Sequence, residues 1–324
     1  MKLTIPIRGS DFEPEYESLE SFFEEIPTLS NDQRLISLID ENEKDEDASK
    51  LLIDKINFQI VVENKHKIKE CAELINKAFP DFKTEFILEY LIIDIELFEG
   101  TDFPIDYLGY MLNKYLGRLC FLINLSYSTN VDFLPGVIYT DTNEFFSKTE
   151  MIGSNLMYAY QHAHKIKWPT IRNLKLIDTI KWYHKFGIHP DDKSVNNVHR
   201  AINAFSHLLD DFNSEDSDNL FWIMLGIEAL LSKGINAISN QIREKSTLIL
   251  GKPTEYTKKL NQLYNYRSKL VHGEFNIFPS FHSDYESFEK EFDDYLAFAT
   301  SILIALIREI YLQKTEFEFE LKLK

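Results

Sequence analysis

Between His199 and Leu312 the apolar residues return every three or four positions, in five stretches separated by short breaks. A period near 3.6 belongs to a helix with one buried face, so this half of the chain is confined to helices packed on helices. The spacing predicts helices over His199–Phe212, Asp218–Ser232 and Ala237–Leu250. A fourth opens at Pro253-Thr254, and a long fifth runs over Tyr285–Leu312. Their lengths and short connections predict a helical bundle. Residues 186–197, with Gly187 and Pro190, read as the linker before it.

The first part of the chain has a different rhythm. Leu3, Ile5 and Ile7 alternate with other residues, as strand residues do. Asn57–Val62, Leu119–Tyr127 and Val137–Tyr139 read as strands, and Phe86–Leu97 as strand-rich. His66–Phe79 and Pro104–Leu116 read as helices. Asp40–Asp47, nearly all acidic, reads as an exposed loop or linker. Phe317, Phe319, Leu321 and Leu323 alternate with Glu and Lys, so both termini are expected to join one sheet. The expected class is therefore α+β. A mixed α/β domain of unassigned fold spans 1–190, an all-α bundle spans 191–314, and a strand over 315–324 returns to the sheet.

The fourth helix ends on Arg267-Ser268-Lys269-Leu270-Val271-His272-Gly273. Apolar positions at Tyr256, Leu260, Leu263, Tyr264, Leu270 and Val271 define its stripe. Arg267 lies seven residues after Leu260 and so falls on that stripe, where an unpaired guanidinium is costly. Glu228 is the only charge in the run Leu220–Leu231. It reads as a wet position on a nearly buried helix, as the partner that fixes Arg267 through two hydrogen bonds, or as a group at the edge of a site. Gly273 is a natural helix stop, which puts His272 in the last turn, where the helix dipole favours a cation. His272 lies about 140° around the helix from Arg267. Ser268 precedes His272 by four residues, on the same flank.

Arg and His together suit cleavage of a phosphodiester. Arg holds the charge of a phosphoryl transition state, and His moves protons near neutral pH. The plain alternative is a structural ion pair at Arg267 and a common helix ending at His272, and spacing alone does not separate the two.

The surroundings add a second line. The run Leu220-Phe221-Trp222-Ile223-Met224-Leu225-Gly226-Ile227-Glu228-Ala229-Leu230-Leu231 is followed by Gly234-Ile235 and by Gln241-Ile242-Arg243-Glu244-Lys245-Ser246. Then come Leu263-Tyr264-Asn265-Tyr266 and the Arg-x4-His motif. In this order and spacing, over residues 197–312, they resemble the Apea-like HEPN domains of prokaryotes. A weaker echo lies upstream at Trp168-Pro169-Thr170.

The resemblance implies a helical bundle that forms a homodimer, with the motifs facing each other across the interface as a composite endoribonuclease site. It implies an RNA substrate, no metal, no cofactor, and a toxin or antiviral-defence role. Carried over by residue, Arg267 and His272 are the catalytic pair, with Ser268 and Glu228 supporting. Ser268 stands where the wider superfamily often has Asn, Asp or His. Lys269, Arg243 and Lys245 are the candidate RNA contacts. The alternative is a non-catalytic HEPN module that recognises a partner or nucleotide, with the first domain as sensor or effector.

A net charge of −17 opposes a phosphate-rich ligand. Its distribution weakens the objection. Residues 11–50 carry 14 acids and 3 bases, whereas 243–269 carry 7 bases and 2 acids. Six histidines fall between His162 and His207, and His162-Ala163-His164 would put two side chains on one side of a strand. With no H-E-x-x-H and no C-x-x-C beside them, no metal is expected. Cys71 and Cys120 read as small buried hydrophobes, not a disulfide framework. Trp168, Trp182 and Trp222 read as core residues. Glycines are not clustered as a phosphate loop. Without an 18-residue apolar span or an apolar leader, the expectation is a cytoplasmic protein.

Overall fold

The computed structural model describes residues 1–9, 20–30, 32, 34, 56–64, 69–80, 87, 89–97, 105–140, 142, 144–153, 156–185, 193–209, 216–234, 237–253, 256–274, 290–314, 317 and 319. The fold is α+β. The chain divides into two units: Met1–Ser154 with Asn173–Asp192, and Asn155–Arg172 with Lys193–Lys324.

The first unit holds an antiparallel sheet. Its strands are β1 (Lys2–Gly9), β2 (Ile56–Asn64), β3 (Glu89–Leu97), β4 (Val131–Phe133), β5 (Val137–Tyr139) and β6 (Phe145–Lys148). The order is β2-β3-β1-β5-β6, with β4 also paired to β1. Leu3 faces Ile93 on one neighbour and Ile138 on the other, and Ile7 faces Phe133. The alternating Leu3, Ile5 and Ile7 are all buried, and so is Thr4 on the opposite side, so β1 is the covered centre of the sheet.

Helices α1 (Lys69–Ala78), α2 (Ile105–Ser126) and α4 (Leu176–Lys185) also belong to this unit. The expected strand at Leu119–Tyr127 is instead the end of α2. Every residue from Arg118 to Tyr127 is buried, so the end of this helix has no wet side. A continuous apolar run reads alike for a buried strand and a buried helix. Asn124 ties the helix to β4: its Nδ2 donates to Val131 O at 3.1 Å, and its Oδ1 accepts from Val131 N at 3.2 Å. The Glu25 carboxylate accepts from Leu176 N at 3.0 Å and Ile177 N at 2.9 Å, placing an anion at the start of α4, where the helix dipole favours it.

The second unit is helical: α3 (Met157–Ile166), α5 (Asn197–Ser206), α6 (Asp216–Leu231), α7 (Ile238–Leu250), α8 (Thr257–Val271) and α9 (Lys290–Gln313). Helix α9 runs through its centre and touches each of the other five. Over Asp293–Gln313 it is long and apolar enough to cross a membrane, yet 78% of its most apolar window is buried inside the protein, as in a core helix. Gly226 lets α6 come close: a Cβ there would lie 2.8 Å from Leu303 Cδ1 and 3.4 Å from Ala204 Cβ.

The second unit begins earlier than the linker at 190 implied, because residues 155–172 pack with the bundle. The Trp168 indole donates to Leu250 O at 3.1 Å and Gly251 O at 3.0 Å, closing the end of α7. Arg308 on α9 is 1% exposed. Its Nη1 donates to Arg172 O at 2.8 Å, and its Nη2 donates to the Tyr160 hydroxyl at 3.3 Å. Most of the expected terminal strand 315–324, and all of Asp40–Asp47, lie outside the described residues. Of that strand only Phe317 and Phe319 are described, neither in a strand, and the Lys245 ammonium stands 4.4 Å from the Phe319 ring centroid.

Candidate functional site around Arg267 and His272

Helix α8 presents Leu260 and Leu263 to the core, both buried. Its start is tied by Thr257 Oγ1 donating to Pro253 O at 3.1 Å; Thr254 lies outside the described residues. Arg267 continues the stripe, and there it meets Glu228 of α6, with Nε 3.2 Å from Oε1. The guanidinium carbon also stands 5.9 Å from the Tyr264 ring centroid, near enough for a cation–π contribution.

The pair is in contact as charges, without the two aligned hydrogen bonds of a bidentate fork. Glu228 Oε1 makes no aligned hydrogen bond among the described residues, and neither do the terminal nitrogens of Arg267. Burial pushes the Glu228 carboxyl above its ordinary value, and the Arg267 charge offsets part of that rise. The side chains of Arg267 and Glu228 remain 27% and 15% exposed, so the pair lies at an opening and not in the deep core.

His272 sits where α8 ends. Its N–H donates to Ser268 O at 3.0 Å, Gly273 takes φ +71, and Glu274 N–H reaches back to Lys269 O at 2.8 Å. That six-residue closure with a left-handed glycine is a Schellman ending. The His272 side chain is exposed, and its imidazole has no hydrogen-bond partner among the described residues. The Ser268 side chain is half-buried. His272 lies one residue past the end of α8, and at ideal helical spacing it falls about 140° around the axis from Arg267.

The other candidates divide. Lys269 is exposed, 6.0 Å from the Tyr266 ring centroid. Arg243 pairs with its neighbour Glu244 at 3.3 Å. Lys245 turns inward: Nζ donates to Leu231 O at 2.6 Å and Gln241 Oε1 at 3.0 Å, and so caps the end of α6. Burial, with Lys233 adding to it, lowers the pKa of this ammonium. The local excess of bases is therefore partly spent on holding the bundle together.

Two features were not visible from spacing. Phe221 and Leu225 on α6 are 42% and 39% exposed. With Glu228 they fall at i, i+4 and i+7, so an exposed apolar stripe runs into the Glu228–Arg267 pair. Beside it, Trp222 stacks on His207 with centroids 3.7 Å apart. The second feature is a trio running from buried His162 to exposed Asp294. His162 Nε2 lies 3.0 Å from Lys259 Nζ, which pairs with Asp294 Oδ2 at 2.9 Å. His162 and His164 lie on α3, not on a strand. Two residues on a helix turn about 200°, so His162 is buried and His164 exposed. Among the described residues no three His, Cys, Asp or Glu gather as a metal site.

No family model, no curated protein and no solved structure matches this chain.

Proposed function

We propose that the second unit is a metal-independent endoribonuclease of the HEPN type, acting as a homodimer in a cytoplasmic toxin or antiviral-defence role. The observation that carries this reading is the state of the motif pair. Among the described residues, Arg267 is steered through Nε by Glu228 while its terminal nitrogens make no hydrogen bond, and the exposed His272 imidazole has no partner. A guanidinium held in this way can receive phosphate oxygens.

In the proposed reaction the 2′-oxygen of the substrate attacks the adjacent phosphorus as one His272 removes its proton. The bond from phosphorus to the 5′-oxygen breaks as the other His272 supplies a proton to that leaving oxygen. Arg267 stabilises the charge on the non-bridging oxygens. The products are a 2′,3′-cyclic phosphate and a 5′-hydroxyl. One His272 cannot be base and acid in a single displacement, and helical spacing sets it about 140° from its own Arg267, so a second copy would supply the missing half. The exposed Phe221–Leu225 stripe beside Arg267 offers an apolar surface for that copy.

Purified chain incubated with RNA in EDTA is expected to cut it, and both Arg267→Ala and His272→Ala are expected to lose at least about a hundredfold in rate. Arg267→Lys serves as a control, because removal of Arg267 leaves Glu228 without its cation; thermal unfolding separates that effect from chemistry. Undiminished cleavage by both alanine variants overturns the assignment. No cleavage of any RNA by the wild type favours the non-catalytic binding module.

A further inference from the structure

The first unit contains a cavity of about 300 Å³ between the last turn of α1 and strands β5 and β6. That volume is at the lower end of the range for small-molecule sites, about 300–1,000 Å³. Its walls are apolar: Leu74 and Ala78 from α1, Val137 from β5, and Phe145 from β6, with the ring of Tyr139 beside them.

The floor is firm. Val137 is 1% exposed and packs in one cluster with Ile75, Tyr90 and Leu134, so an occupant would rest on the core of the unit. The mouth is unfinished. Phe145 is 52% exposed on the edge strand, an aromatic surface that an occupant would cover.

Among the described residues, Lys77 and Lys148 line the cavity and no acid does, in a chain whose net charge is −17. Lys148 is already positioned: its Nζ donates to Ala78 O at 2.7 Å and stands 4.3 Å from the Phe79 ring centroid. Ordering that long side chain therefore adds little to the cost of binding an anion. Lys77 is exposed and has no hydrogen-bond or ion-pair partner among the described residues.

We infer that this cavity binds a small amphipathic anion, an apolar chain or ring bearing one carboxylate-type group, with the body on Val137 and Leu74 and the anion at Lys77 and Lys148. This inference is independent of the nuclease reading. It concerns other residues, and its test involves no RNA.

The probe is octanoate, titrated calorimetrically into the full chain, with octan-1-ol and acetate as the halves of the same molecule. Octanoate is expected to bind one to one and at least about tenfold more tightly than either half. Lys77→Glu, on the surface, is expected to weaken octanoate about fivefold and leave octan-1-ol unchanged. Leu74→Trp, which fills the cavity from a half-buried position, is expected to weaken both. Circular dichroism checks that each variant folds.

A second measurement needs no variant. A diazirine analogue of octanoate, photolysed on the wild-type chain, is expected to label peptides spanning 69–80 or 137–148. Equal affinity for octanoate and octan-1-ol overturns the inference. So do octanoate binding that neither variant changes, and labelling confined to other peptides.

Discussion

A single charged residue on an apolar stripe tells most when its partner is found. Arg267 was legible because seven residues separate it from Leu260, and Glu228 because it is the lone charge in its run. What could not be read was how they meet: through Nε alone, at a site still partly open to water. The trio of His162, Lys259 and Asp294 was invisible for a different reason, since its members stand 97 and 35 residues apart. Burial first, then the Lys259 charge, pushes His162 down to about 4; Asp294 pulls the other way, and Lys165 adds to the lowering. Asp294 itself is lowered: burial raises it, but the hydrogen bond and charge of Lys259 outweigh that. The folded state therefore keeps His162 neutral while the unfolded chain protonates it near 6.5. This contribution to stability is complete above pH 6.5 and is lost as pH falls towards 4. His162→Phe is expected to remove that loss, on the order of 2 kcal/mol after allowance for screening at the exposed Asp294. Urea unfolding of both proteins at pH 4.5 and pH 7 measures it. Equal pH dependence in the two would mean that His162 is not neutral in the fold.

At the level of elements, periodicity succeeded where one face is wet. Asp218–Ser232 was expected and Asp216–Leu231 is helical; Ala237–Leu250 was expected and Ile238–Leu250 is helical. It failed at Leu119–Tyr127, where every residue is buried and no wet face betrays the period. The end of α8 was legible from Gly273 alone, because a left-handed residue is what closes a helix there. Gly273→Ala is expected to destabilise the protein by about 1 kcal/mol, since a Cβ is strained at φ +71 although open space surrounds it. Because His272 adjoins that turn, the substitution is also expected to lower RNA cleavage more than it lowers the unfolding temperature. Amide exchange at Lys269–Glu274 reads the fraying directly. Unchanged exchange there would show that the glycine does not hold the helix end.

The whole molecule divides at a place that composition alone marked only in part. Residues 186–197 carry the linker signals, yet α3 and Trp168 belong to the bundle. A fragment of residues 193–324 would therefore leave Arg308 buried without Arg172 O and the Tyr160 hydroxyl, and would uncover the face of α9 that packs on α3. It is expected to show no cooperative thermal transition, whereas the full chain does; a sharp transition in the fragment would mean that α3 is dispensable. The sequence by itself determined the α+β class, five of the six described helices of the second unit, and the place of Arg267 and His272 at the end of α8. Each of these rests on spacing along the chain, which local geometry converts into a face or an end. Only the tertiary structure decided that residues 155–172 join the bundle, that Lys245 turns inward, and that an apolar stripe leads to Arg267. It alone formed the lysine-lined cavity of the first unit. These arise where distant segments meet, and no local period records which segments those will be.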